Sequence, residues 1–87
     1  LPNIGWNDII IKKKSIITEG LDKAKDFYFI HSYIFNPTNK ENIVAETIYE
    51  KSFCSIVQSE NIFGVQFHPE KSQKAGMILL KNFLDIK

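Results

Sequence analysis

The chain has 87 residues and a net charge of +1, with 44% hydrophobic and 24% charged residues, which is the composition of one ordinary globular domain. All 11 basic residues are lysines, so neither the net charge nor arginine side chains favour binding to nucleic acid. The single cysteine, Cys54, excludes an internal disulfide and a cysteine-based zinc site, and it fits a reducing, cytoplasmic location. No apolar run approaches the roughly 20 residues of a membrane-spanning helix.

The first half of the chain alternates turn-rich and apolar segments. Residues 2–7 (PNIGWN) contain Pro, Gly and Asn and predict a loop, and the β-branched residues 8–12 predict a short strand. Residues 15–26 predict one helical turn or a loop. Residues 27–33 (FYFIHSY) are aromatic and β-branched and predict a buried strand, which is followed by a turn-rich loop at 35–42.

The second half predicts three strands and one helix. The strands are expected at residues 43–50, 52–58 and 62–67, with a hairpin turn at 59–61. A helix is expected at 72–86, with Ser72 as its N-cap. Its apolar stripe contains Met77, Leu80, Phe83 and Leu84 and is widened by Ile78 and Leu79. Taken alone, this order predicts an α+β arrangement in which the helix packs on a mostly antiparallel sheet and one sheet face stays open.

His68 and Glu70, in the stretch FGVQFHPEKS at residues 63–72, are the first candidates for catalysis. Residues i and i+2 of an extended chain point the same way, and Pro69 favours an extended conformation at His68. The carboxylate can then hold the imidazole in one tautomer and stabilise the imidazolium that forms when His68 accepts a proton. Two surface polar residues produce the same pattern by chance, so the spacing alone leaves both interpretations open.

The stretch FGVQFHPEKS followed by an apolar helix resembles the C-terminal signature of the class I (triad-type) glutamine amidotransferases. The resemblance implies an α/β, flavodoxin-like domain, to which these residues contribute the later strands and the last helix. It also implies a chemistry: a cysteine thiolate attacks the side-chain amide of glutamine, His68 is the general base, Glu70 orients His68, and ammonia passes to a synthase. No cofactor and no metal ion are implied.

Two further stretches, PNIGWN and FYFIHSY, are similar to those of the glutaminase subunit of imidazole glycerol phosphate synthase, which belongs to histidine biosynthesis. This resemblance covers nearly all of the chain and implies a cyclase subunit as partner, with Trp6, Asn7, Tyr28 and Lys71 facing it. From the residues alone, Trp6 and Tyr28 are equally compatible with core positions, and Lys71 with a solvated charge. His31, in the same predicted strand as Tyr28, is interpreted as a structural histidine.

The family's nucleophile has no counterpart in this sequence. In the family it lies on a Gly-rich strand-to-helix turn upstream of the GWN motif, and neither that turn nor the oxyanion-hole loop occurs in these 87 residues. Cys54 has a strand-like context with no glycine nearby and is interpreted as a core residue. The prediction is therefore that residues 1–87 are the C-terminal part of a single amidotransferase domain, without its nucleophile-bearing N-terminal part, and that this chain alone is inactive.

Three alternatives stay open at this point. A related amidotransferase that supplies ammonia for surface-sugar amidination would carry the same motifs. A short natural chain could instead be a non-catalytic synthase-docking module that keeps the partner-facing residues. A self-contained thiol hydrolase would use Cys54 together with His68 and Glu70, but it would lack the Gly-rich turn and an evident oxyanion hole.

Overall fold

The computed structural model describes residues 3–21, 24–31, 37–49 and 51–86. The strands are β1 (Asn3–Ile11), β2 (Ala24–His31), β3 (Ile43–Tyr49), β4 (Lys51–Ser59) and β5 (Ile62–Val65). The α-helix α1 spans Gln73–Leu84, and short 3-10 helices span Ile16–Thr18, Lys40–Asn42 and Pro69–Lys71. Within these ranges, no helix combines the length and the apolar character that crossing a bilayer requires.

The strands form one five-stranded sheet in the order β2-β1-β3-β4-β5, and the pairings between them are antiparallel. The ladder between β1 and β2 runs from Asn3 opposite His31 to Ile10 opposite Ala24. The sheet is curled, and the chain that leaves β5 at one edge of the sheet therefore meets β2 at the other edge. There the backbone N–H of His68 donates to the carbonyl oxygen of Tyr28 at 2.8 Å. The segment around His68 therefore bridges the two edges of the sheet.

Aromatic side chains form the centre of the core. Phe27 and Phe29 of β2 are fully buried and contact Phe67, with ring centroids 4.1 and 5.6 Å from it. Phe53 of β4 packs edge-on against Phe29 at 5.9 Å. Aromatic pairs of this kind add about 0.5–1.5 kcal/mol each to the stabilisation from buried area. Phe67 thus anchors in the core the chain segment that carries the next residue, His68.

Most elements follow the sequence prediction. The aromatic and β-branched runs form β2, β3, β4 and β5, and the predicted helical turn is the 3-10 helix Ile16–Thr18. The hairpin turn lies at Glu60 and Asn61, with Glu60 in a left-handed conformation at φ 57°. β5 ends at Val65, earlier than predicted, because the chain bends there toward β2. The predicted strand ends at residues 32–33 and at residue 50 lie outside the described residues.

The predicted loop at residues 2–7 is wrong from Asn3 onward, because these residues belong to β1; Pro2 lies outside the described residues. Gly5 has a φ of 130°, a backbone conformation that glycine adopts without steric cost, and it keeps its place in the ladder opposite Phe29. The continuous pairing with β2 outweighs the local turn tendency of Gly and Asn, because strand formation depends strongly on tertiary context.

The predicted helix is present as α1, but the predicted apolar stripe is only partly buried. Three residues of the stripe are exposed: Met77, Phe83 and Leu84. The buried face contains Leu79, which belongs to the predicted stripe, and Gly76. The side-chain amide of Asn82 lies on the packed side and donates to the carbonyl oxygens of Ile17 and Glu19 at 2.9 and 2.7 Å. A polar anchor therefore fixes the rotation of the helix, and a hydrophobic pattern does not reveal it.

Candidate functional site

The HPE segment (residues 68–70) lies where the chain passes from β5 to α1 alongside β2. His68 is extended, with φ −104° and ψ 97°, and Pro69 opens the 3-10 turn Pro69–Lys71. Proline suits the first position of such a turn, because its φ is preset and its missing N–H is not needed there. The hydrogen bond from the N–H of His68 to Tyr28 fixes the backbone of the histidine to the edge strand.

The side chains of His68 and Glu70 are in direct contact. The Nδ1 atom of His68 lies 3.0 Å from the Oε2 atom of Glu70, which is hydrogen-bonding distance. The two side chains are 40% and 60% exposed, so a substrate can reach the imidazole from solvent. The sequence predicted this contact, but it forms differently from the prediction: the 3-10 turn at Pro69, rather than two extended residues, brings the carboxylate back to the ring.

The contact favours a defined protonation pattern. The hydrogen bond from His68 lowers the pKa of Glu70, and the backbone hydrogen bond and the positive charge of Lys71 act in the same direction. An ionised Glu70 can only accept hydrogen bonds, so the network assigns the proton of the neutral imidazole to Nδ1. The Nε2 atom of His68 is then the ring nitrogen that can accept a proton from another group.

Ser72 is the N-cap residue of α1, as predicted, but its hydroxyl makes no capping hydrogen bond to the helix. The residue is 1% exposed, and its Oγ accepts a hydrogen bond from the N–H of Tyr28 at 2.9 Å and donates one to the carbonyl oxygen of His68 at 2.6 Å. The hydroxyl therefore links β2 to the HPE segment through two hydrogen bonds. No local sequence pattern indicates these partners.

Helix α1 approaches the HPE segment most closely at Gly76, a residue to which the sequence analysis gave no role. A Cβ atom at this position would lie 1.9 Å from the carbonyl oxygen of Pro69 and 3.0 Å from the Cβ of Ser72. Only glycine leaves room for this approach, because any other residue would place a carbon atom inside the backbone of the turn.

Trp6 is 45% exposed, so it is not a core tryptophan in this structure. It pairs across the strands with Tyr28, and the two rings meet edge to face with centroids 5.7 Å apart. Asn7 lies opposite the core residue Phe27 and therefore belongs to the other face of the sheet. Lys71 is exposed in the 3-10 turn. Trp6 and Tyr28 thus share one surface, whereas Asn7 lies on the opposite face of the sheet.

An open depression of about 660 Å³ lies beside Trp6. Its lining comes from β1, β2 and the start of α1: Trp6, Asp8, Asp26, Ser72, Gln73, Lys74 and Ala75. Asp8 and Asp26 face each other across the strands, and a hydrogen bond between them, together with burial, raises the pKa of Asp8. The described ranges contain no group of three or more side chains arranged to hold a metal ion. The surface next to Trp6 therefore carries two carboxyl groups and one lysine.

Cys54 is a buried residue of β4, opposite Glu46 of β3. Its thiol donates to the carbonyl oxygen of Ile56 at 3.3 Å. Burial raises the pKa of the thiol to about 11, so the thiolate is scarce near neutral pH. A nucleophilic cysteine needs the opposite environment, one that lowers the pKa. The structure therefore agrees with Cys54 as a core residue. His31 ends β2, and its side chain lies outside the described part of the chain.

Comparison with known proteins identifies the family. The class-I glutamine amidotransferase family matches residues 1–86. Similar proteins named imidazole glycerol phosphate synthase subunit HisH occur in Pelagibacter ubique, Buchnera aphidicola and Pyrococcus furiosus, with 50%, 52% and 54% identity. The alignments cover 99%, 99% and 94% of this chain but 41%, 43% and 43% of those relatives.

The chain spans about two fifths of the length of these curated relatives. A class I glutamine amidotransferase domain has a flavodoxin-like α/β fold, and the curled antiparallel sheet with its final helix is the portion of it that these residues form. The match spans the HPE segment, the strand that holds it and the helix that packs on it. The chain therefore belongs to the class I glutamine amidotransferases and is similar throughout its length to the HisH subunits of imidazole glycerol phosphate synthase.

Proposed function

We propose that the protein carrying this chain is the glutaminase subunit of an imidazole glycerol phosphate synthase. It hydrolyses glutamine and passes the ammonia to a cyclase subunit, as part of histidine biosynthesis in the cytoplasm. The observation that carries the proposal is the contact of 3.0 Å between His68 and Glu70, held on β2, in a chain 50–54% identical to proteins of that name. Residues 1–87 would form the C-terminal part of a single amidotransferase domain.

The proposed chemistry assigns one atom of this chain to each proton transfer. A cysteine thiol, supplied from sequence N-terminal to Leu1, gives its proton to Nε2 of His68, and the thiolate attacks the carbonyl carbon of the glutamine side chain. The imidazolium then returns the proton to the leaving nitrogen, so the C–N bond breaks and ammonia departs. Water hydrolyses the thioester to glutamate by the same base. Glu70, ionised and bonded to Nδ1, stabilises the imidazolium between the two transfers.

The proposal is tested by measuring the release of glutamate and ammonia from glutamine by the full-length protein mixed with its cyclase subunit. We expect turnover by the full-length protein and none by residues 1–87 alone, because the oxyanion hole and the nucleophile would both be missing. A full-length protein that binds the cyclase but releases no ammonia from glutamine would support the non-catalytic docking module instead. Turnover by the 87-residue chain alone would overturn the assignment of the nucleophile.

The product made from the ammonia depends on the partner. The similarity to HisH subunits favours the cyclase of histidine biosynthesis. A sugar amidotransferase of the same family would release ammonia from glutamine equally well. Formation of imidazole glycerol phosphate by the mixed subunits, with glutamine as the only nitrogen source, distinguishes the two pathways.

Trp6→Ala should weaken binding of the full-length protein to the cyclase subunit by at least about 2 kcal/mol, or roughly 30-fold in Kd. Trp6 and Tyr28 form an exposed aromatic pair, and such residues are typical anchors of interfaces. Calorimetric titration measures the change. The matched control is Ile62→Ala, which removes an exposed apolar side chain at the turn between β4 and β5. Equal Kd values for Trp6→Ala and the unmodified protein, with the fold intact, would remove Trp6 from the interface.

Cys54→Ser should leave glutamine turnover unchanged within about twofold, because Cys54 is a buried residue without nucleophilic character. We expect a loss of about 1–2 kcal/mol in the free energy of unfolding, since a hydroxyl is more costly than a thiol in apolar surroundings. Steady-state rates and urea denaturation on the same preparations measure both effects. Complete loss of turnover in a stable variant would support the self-contained thiol hydrolase.

A further inference from the structure

We propose that Ser72 is a positioning residue for His68. Its hydroxyl is inserted into the backbone pairing between His68 and Tyr28 and thereby fixes the position of the imidazole. In an ordinary antiparallel pair, two residues exchange two backbone N–H···O bonds. Here one of the two is direct, from the N–H of His68 to the oxygen of Tyr28 at 2.8 Å. The other runs through Ser72, from the N–H of Tyr28 to Oγ at 2.9 Å and from Oγ to the oxygen of His68 at 2.6 Å.

The inserted hydroxyl holds the histidine away from regular strand geometry. Because one bond is direct and the other is lengthened by an oxygen atom, the backbone of His68 is splayed from β2 at its carbonyl end. At that end the chain turns into the 3-10 helix that carries Glu70. Ser72 therefore fixes both the backbone of His68 and the start of the turn that brings the carboxylate to the ring.

The hydroxyl of Ser72 is the partner that the structure shows for the backbone N–H of Tyr28. Ser72 is 1% exposed, so its replacement by alanine would remove this hydrogen bond at a buried position. The imidazole of His68 is 40% exposed and has free space around it. A side chain with that much free space keeps a productive position only if its backbone is held, and the hydroxyl of Ser72 is one of the two links to β2.

Ser72→Ala in the full-length protein tests the inference, which rests on the proposed function. We expect kcat for glutamine hydrolysis to fall about 10- to 100-fold, because small displacements of a catalytic group have effects of that size. KM for glutamine should change by less than about threefold, because Ser72 does not touch the substrate. In nitrogen-edited NMR spectra, the imidazole N–H signal of His68, protected by Glu70, should be lost or strongly broadened.

The matched control is Ser55→Ala. Ser55 is also fully buried, and its hydroxyl has no hydrogen-bond partner among the described residues, so the same chemical change is made without breaking a link to the HPE segment. Its kcat and NMR signal should stay as in the unmodified protein. Ser72→Cys fills the site with a sulfur atom that forms only weak hydrogen bonds, so kcat and the NMR signal should change in the same direction as in Ser72→Ala. If Ser72→Ala does not fold, Ser72→Cys decides the test.

The outcomes separate the inference from the proposed function. An unchanged kcat and NMR signal in the Ser72 variant, or equal losses in the Ser72 and Ser55 variants, would overturn the positioning role. The spectrum of His68→Ala assigns the signal, because the signal that disappears in that variant belongs to His68. If the full-length protein released no ammonia from glutamine, the proposed function would fail, while the NMR signal would still decide whether Ser72 positions the imidazole.

Discussion

His68→Ala in the full-length protein should lower the rate of glutamine hydrolysis by about 10²- to 10⁴-fold, the range that general base catalysis contributes. With Nδ1 bonded to Glu70, the Nε2 atom of His68 is the acceptor for the thiol proton in the proposed reaction. An unperturbed cysteine thiol has a pKa of about 8.5, so most of it stays protonated near neutral pH without a base. The same imidazole must later protonate the leaving ammonia, so the variant loses two steps at once.

The reaction is measured by glutamate formation at saturating glutamine in the presence of the cyclase subunit. The matched control is His31→Ala, because His31 is the other histidine of the chain and is interpreted as structural. We expect its turnover per folded molecule to stay within a few-fold of the unmodified protein. Normal turnover in His68→Ala would end the assignment of His68 as the base, and a dead His31 variant with an intact fold would show that the interpretation of His31 is wrong.

The fold could be predicted where local pattern and tertiary context agree. The runs around Phe27, Val44 and Phe53 are rich in β-branched and aromatic residues and form buried strands, as those residues favour. The prediction fails where long-range pairing decides. Residues 3–7 are predicted as a loop from their local composition, yet they lie in a ladder with β2, in which Gly5 has a positive φ of 130°. A local pattern gives no information about strand partners that are distant in the sequence.

The site shows the same division. The His68–Glu70 contact joins residues two apart, so their spacing predicts it. Ser72 acts on Tyr28, 44 residues away, and the order of residues carries no sign of that bond. The role of Gly76 depends on how closely α1 packs against Pro69, which follows from the rotation of the helix. The apolar stripe predicted this rotation only in part: Leu79 is buried as expected, but Met77 and Leu84 are exposed, and the amide of Asn82 lies on the packed side.

Gly76→Ala should lower the free energy of unfolding by about 2–3 kcal/mol, the upper part of the range for overpacking. The new Cβ would stand 1.9 Å from the carbonyl oxygen of Pro69 and 2.8 Å from its carbonyl carbon. Both are backbone atoms, so no side-chain rotation relieves the overlap, and either the turn or the helix must move. Alanine is intrinsically better than glycine inside a helix by about 1 kcal/mol, which opposes the loss but is smaller than it.

An exposed position of the same helix provides the control that isolates the steric term. Met77 is largely exposed, so Met77→Ala and Met77→Gly compare the two residues without a close neighbour, and alanine should be the more stable by about 1 kcal/mol. At position 76 the order should invert, with glycine the more stable in urea denaturation. The same alanine should also lower glutamine turnover, because the displaced turn carries Glu70 and follows directly on His68. If alanine were the more stable residue at both positions, the close contact between α1 and the HPE segment would not exist in the folded protein. Gly76 would then have no part in holding the turn that follows His68.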